Sequence, residues 1–190
     1  MAKNFLIGTV LLLYCCAPAA AQTVECGSMA DAAQISEVGA FSNMRYTDEH
    51  AYGYSVMLWR AGDCLLGLFE SSQGLAGDTP IGALQDLKYD GKTGRLAFSA
   101  RLTTGMVSVR GSNDLAPSRD LFVFEGNLKT STVTGVIVYT LQNNPNFIPT
   151  RTEVVLETSG PETEFMHGSK TYGEWIRKWQ PILQRRGPKW

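Results

Sequence analysis

The stretch Asp90-Gly91-Lys92-Thr93-Gly94-Arg95-Leu96-Ala97-Phe98-Ser99-Ala100-Arg101-Leu102-Thr103 reads as a turn followed by a strand. Asp-Gly with a second glycine close behind supplies positive φ at little steric cost. From Arg95 onward the side chains alternate. Leu96, Phe98, Ala100 and Leu102 fall on one face, and Arg95, Ser99, Arg101 and Thr103 on the other. That period of two is the signature of a half-buried strand. Ile81 to Tyr89, just before the turn, is a second such run, so the pair reads as a hairpin.

The same rhythm extends in both directions. Upstream lie Val38 to Tyr46, Ala51 to Arg60 and Cys64 to Ser71, the last two joined by the tight reversal Ala61-Gly62-Asp63. Downstream lie Asp120 to Leu128 and Thr132 to Leu141, joined by Lys129-Thr130-Ser131, and then Thr150 to Thr158 beyond the polar loop Asn143 to Pro149. Two further loops, Gln73 to Pro80 and Gly105 to Ser118, carry no hydrophobic period. No helical segment separates these eight runs, which argues for antiparallel hairpins and against βαβ units. An eight-stranded meander has one face to bury and two edges to protect, and closing into a barrel does both. The expected fold is therefore all-β, an eight-stranded antiparallel barrel, with a two-sheet sandwich as the alternative.

After Pro161 the period changes. Tyr172, Trp175, Ile176, Trp179, Ile182 and Leu183 form one stripe of a helix over about 170–186, with Arg177, Lys178, Arg185 and Arg186 largely off it. Pro181 is expected to kink or end the regular helix. The stripe suits docking on the outside of the barrel. A membrane interface or an anionic protein surface, met through Trp175, Trp179 and the neighbouring cations, is the alternative.

The N-terminus reads as a secretory signal peptide over 1–21: a cationic start, an apolar run from Phe5 to Tyr14, and Ala19-Ala20-Ala21 before Gln22. Cleavage there leaves a single domain, 22–190, addressed to the periplasm or the exterior. Of the four cysteines, Cys26 and Cys64 remain, and in an exported chain they are expected to form one disulfide. Closing that loop of about 39 residues contributes roughly 4 kcal/mol in the chain-entropy model. Cys15 and Cys16 raise a lipid-anchored alternative, but neither has the small preceding residue that lipidation favours. Gln22 to Ser169 holds 10 Lys/Arg against 17 Asp/Glu, and Lys170 to Trp190 holds 6 against 1. A basic tail on an acidic body has either its own barrel or an external acidic surface as partner.

Catalytic and metal signatures are not expected. The two histidines, His50 and His167, have no ligand spacing around them, and there is no Gly-x-Ser-x-Gly elbow. Gln73 to Pro80 is glycine-rich but lacks the Lys-Ser/Thr ending of a phosphate cradle. No cofactor and no nucleic acid is implied. The candidate ligand-binding residues are polar groups on otherwise apolar strand faces: Tyr54 with Tyr52, Val56 and Leu58; Gln85 with Ile81, Ala83, Leu87 and Tyr89; Glu125 with Leu121 and Val123; Tyr139 with Val133, Gly135 and Ile137. Phe122 and Phe124 leave the inward face of the Asp120–Leu128 run ambiguous. Polar groups in an apolar wall either orient a ligand or hydrogen-bond within the core.

Eight strands in meander order, one disulfide and a C-terminal helix resemble the lipocalin and wider calycin architecture. Gly39-Ala40-Phe41 stands where that family carries Gly-x-Trp, and Tyr46-Thr47-Asp48-Glu49 keeps the Thr-Asp of its Thr-Asp-Tyr turn at an earlier place. The resemblance implies a non-catalytic exported barrel that binds a small apolar molecule or lipid in its interior. The alternative is a cell-envelope interaction protein, or an inhibitor of a secreted enzyme, working through its loops or basic tail.

Overall fold

The computed structural model describes residues 29–75, 80–108 and 114–184. The segment expected to be a signal peptide, 1–21, with Cys15 and Cys16, lies outside the described residues, as do Cys26, Arg185, Arg186 and the middle of the glycine-rich loop. The strands are β1 (Ser36–Ser42), β2 (Arg45–Tyr46), β3 (His50–Ala61), β4 (Cys64–Leu75), β5 (Ile81–Asp90), β6 (Arg95–Leu102), β7 (Met106–Ser108), β8 (Leu115–Pro117), β9 (Asp120–Leu128), β10 (Thr132–Leu141) and β11 (Thr150–Thr158). Two helices follow, α1 (Gly160–Met166) and α2 (Tyr172–Gln184).

Eight strands, β1, β3, β4, β5, β6, β9, β10 and β11, close into an antiparallel barrel in meander order, consistent with a lipocalin-like architecture. Each is one of the runs read from the sequence. β2 extends the bend after β1, and β7 and β8 form a separate small hairpin within the expected Gly105–Ser118 loop. Turn chemistry explains the quoted stretch. The Asp90 carboxylate accepts the Lys92 N–H at 2.9 Å and the Thr93 hydroxyl at 2.7 Å, and the Gly94 N–H donates to the Asp90 carbonyl at 2.8 Å. Gly94 sits at φ +75°, and a Cβ there would lie 2.8 Å from the Leu128 carbonyl oxygen.

The barrel is not joined uniformly. β3 and β4 pair along their whole length, from His50↔Leu75 to Ala61↔Cys64. β4 and β5 share only Leu68↔Ala83, Phe69↔Gly82 and Glu70↔Ile81. The closing seam is narrower: β1 meets β11 only through Phe41↔Thr158 and Ser42↔Glu157, extended by the Ser159 N–H donating to the Ala40 carbonyl at 3.0 Å.

The centre is filled by side chains. Phe41, Phe69, Phe98, Phe122 and Phe124 are each no more than 3% exposed and pack with Val56, Leu58, Leu96, Val133 and Leu156. Phe124 lies across the facing pair Gly126↔Gly135, where an added Cβ would come within 2.6 and 2.8 Å of its Cζ. A second apolar cluster sits outside, where Trp175, Trp179 and Met166 cover Ala40, Met57, Trp59 and Leu68. The helices thus lie against the barrel wall, and Trp175 and Trp179 bury the stripe that also suited a membrane. The N-terminal approach to β1 runs beside the start of α2. Ile35 N–H donates to Lys170 C=O (3.0 Å), Tyr172 N–H to Ala33 C=O (2.8 Å) and Gly173 N–H to Asp31 C=O (2.9 Å).

Of the two outcomes expected at Pro181, a kink or an end, the second does not occur: helix α2 runs on to Gln184. Two other readings need correction. Helix α1 was not expected. Ser159-Gly160-Pro161-Glu162, with a cap residue, an early proline and an acid in the first turn, is the sequence signal that marks it. Gln85 does not share an inner face with Leu87 and Tyr89. The β5–β6 register slips between Gln85 and Lys88, with Asp86 at φ +51°, and that bulge reverses the parity. Leu84, Leu87 and Tyr89 pack on the interior, while Ile81 joins the outer cluster and Gln85 is exposed.

Candidate functional site

The two ends of the barrel differ. One carries the tight turns at Ala61–Cys64, Asp90–Arg95 and Leu128–Thr132. The other carries the long connections: those after β4, between β6 and β9, and between β10 and β11. At this end two of the four candidate residues come together. Tyr54 stacks on Phe69 at 5.9 Å and meets Phe122 edge-on at 6.3 Å. Tyr139 stacks on Phe122 at 4.9 Å and is met edge-on at 5.0 Å by Phe147, from the β10–β11 loop. Both tyrosines are half-buried, in contrast to the sealed phenylalanines beneath them. Phe69 and Phe122, both sealed, thus lie beneath two partly exposed phenols at this end of the barrel.

Gln85 and Glu125 take no part. Glu125 is exposed on the outside of β9, because Phe122 and Phe124 claim the inward parity. The same parity carries a residue that sequence reasoning passed over. Asp120, two positions before Phe122, points inward and is fully buried. The alternating phenylalanines were the available signal for it. Its carboxylate accepts the Tyr139 hydroxyl at 2.8 Å, the Thr104 N–H at 2.7 Å, the Thr104 hydroxyl at 2.9 Å and the Ser118 hydroxyl. A buried carboxylate is tolerable only when so surrounded. Every one of these donors is neutral. Burial, then the Asp120 hydrogen bond and charge, hold the Tyr139 phenol well above its ordinary range, so it keeps its proton.

Ser71 completes the wall. It lies on the inner face two residues beyond Phe69 and opposite Tyr54 in register. Its side chain is fully buried, and its Oγ has no hydrogen-bond partner. A buried hydroxyl left so costs about 1–3 kcal/mol.

A second polar group lies outside the barrel under α1. The Ser55 hydroxyl donates to Glu162 at 3.3 Å and lies 2.7 Å from the Ser42 hydroxyl, while Ser159 also hydrogen-bonds Glu162. Glu70 is the cross-strand neighbour of Ser55. Its carboxyl is pushed up to about 7, first by burial and then by the charge of Glu162. No group of three or more potential metal ligands occurs among the described residues. On α2, Arg177 is exposed, and the Lys178 ammonium donates to the carbonyls of Phe165 and His167, closing the end of α1. Cys64 is buried at the start of β4, while its expected partner Cys26 is outside the described residues. No helix among the described residues is long and apolar enough to cross a membrane.

Comparison with protein-family models, with curated proteins and with solved structures finds no match.

Proposed function

We propose that this chain is an exported, non-catalytic β-barrel that binds a small apolar ligand at its open end. The observation that carries the reading is the aromatic cluster at that end: Tyr54 and Tyr139, half-buried, over the sealed rings of Phe69 and Phe122. Apolar walls with a few fixed polar groups are what small-molecule sites are made of. With aromatic side chains packed through the centre, this reading puts the ligand at the mouth rather than in the interior, where the resemblance put it. Asp120 and Tyr139 are engaged with each other, which suits orientation of a ligand rather than proton transfer to one. The export address rests on the signal peptide, and the Cys26–Cys64 disulfide on the compartment it implies. A thiol titration of the exported protein, unfolded without reductant, is expected to find neither cysteine free.

Native mass spectrometry of protein purified gently from its source tests the ligand. The expected result is a non-covalent adduct that disappears on denaturation and is weakened in Tyr139→Ala. A clean apo mass, unchanged on soaking with mixed small apolar compounds, overturns the reading.

One observation favours a second reading, contact with a membrane or partner protein through the loops. Met106, Leu115 and Ile148, all on the connections of the open end, are 57%, 60% and 82% exposed. Liposome flotation at low and high salt discriminates. Binding that needs these three side chains, or that is salt-sensitive and needs the basic tail, supports loop-mediated contact.

A further inference from the structure

We infer that the mouth is selective for an uncharged ring compound bearing a hydroxyl group, and disfavours carboxylates of the same size. The inference rests on the ligand-binding reading above and names the ligand's class.

The shape comes from the rings. Below Tyr54 and Tyr139 the barrel is occupied by Phe69, Phe98, Phe122 and Phe124, with centroids 4.9–5.9 Å apart along the chain of contacts. A long acyl tail has no channel to thread. A flat ring, in contrast, can add to the end of an existing stack: Phe122, Tyr139 and Phe147 already contact one another at 4.9 and 5.0 Å, and only their outer faces and edges are left for a ligand ring.

The head group follows from charge and hydrogen-bond direction. Asp120 brings a carboxylate to this end, and all four of its hydrogen-bond donors are neutral. No lysine, arginine or histidine hydrogen-bonds to it among the described residues. Among the described residues no cation offsets that charge, so an anionic ligand would face a like charge through low-dielectric surroundings. Tyr139 gives its proton to Asp120, so its oxygen is left as an acceptor and calls for a donor from the ligand. Ser71 Oγ, buried and without a partner on the same inner wall, adds a second hydroxyl able to meet a ligand O–H in either sense. A phenol or cyclic alcohol answers both groups, and a carboxylate answers neither without repulsion.

Three probes of one size separate the possibilities: p-cresol, benzoate and benzylammonium, titrated into the intact mature protein and followed by amide NMR shifts. The expected result is p-cresol at least tenfold tighter than benzoate, with shifts at Tyr54, Ser71 and Tyr139. In Tyr139→Phe, checked for folding by circular dichroism, the preference should shrink. Benzoate binding as tightly as p-cresol in the wild-type protein overturns the inference while leaving the mouth site standing. Benzylammonium binding tightest also overturns it, in favour of a cationic head. If none of the three shifts the mouth resonances, the mouth reading itself falls and the inference falls with it.

Discussion

Tyr139 and Glu70 show how one residue's surroundings set its role. Tyr139 is a donor that Asp120 cannot replace locally, so Tyr139→Phe leaves a buried carboxylate oxygen short of a partner. The expected cost is about 1–3 kcal/mol, read from urea unfolding. Glu70 works through protons. Its folded carboxyl holds a proton up to about 7, against an ordinary value of 4.5. Through that window the native state binds more protons than the unfolded chain, so stability falls as pH rises from about 4.5 to about 7. Urea midpoints across that range should decline less in Glu70→Gln than in the wild type. An identical slope in both would assign the decline to other groups. At α2, Thr171 and Glu174 form a reciprocal cap: Thr171 Oγ1 accepts the Glu174 N–H at 3.3 Å, and Glu174 accepts the Thr171 N–H at 3.2 Å. Thr171→Ala should cost about 1 kcal/mol.

At the scale of elements, β9 and β10 depend on the absence of side chains. Gly126→Ala would bring a Cβ to 2.1 Å from the Thr134 carbonyl oxygen and 2.6 Å from Phe124 Cζ. Overpacking of this kind costs about 1–3 kcal/mol, and a thermal melt should show it. The outer cluster makes the opposite prediction. Trp175→Ala empties the joint between α2 and β3, where its ring meets Trp59 edge-on at 5.7 Å, and should cost roughly 3–5 kcal/mol. An unchanged melting temperature would mean that the helix is not anchored there. These elements also show what sequence could convey. Strand positions were legible because turn residues and period two mark them independently of tertiary context. Facing was legible on β6, where the alternation Leu96–Phe98–Ala100–Leu102 is clean, and failed on β5, where a bulge at Asp86 inverts the face without a glycine to announce it. On β9 every residue from Leu121 to Phe124 is apolar, so only the closed barrel decides between Glu125 and Asp120. The inward facing of Tyr54 and Tyr139 was legible because their strands keep parity. Ser71 and Asp120 were missed because burial of a polar group is a tertiary fact.

For the whole molecule, the barrel's stability is unevenly distributed around its circumference. The β3–β4 pair is continuous, whereas β1–β11 is held by two residue pairs and α1 bridges the strands beside it. Local opening should begin at that seam, with amides of β11 near Thr158 exchanging before those of β3 in native-state hydrogen exchange. The stitching of Asp31, Ala33 and Ile35 to the segment from Lys170 to Gly173 adds a consequence for biogenesis. Synthesis delivers residues in order, yet Asp31, Ala33 and Ile35 find these neighbours only after every strand has been made. The barrel likewise closes only when β11 meets β1, so a nascent chain carries two raw strand edges until then. A truncated product stays an open ribbon, ready to pair with its neighbours.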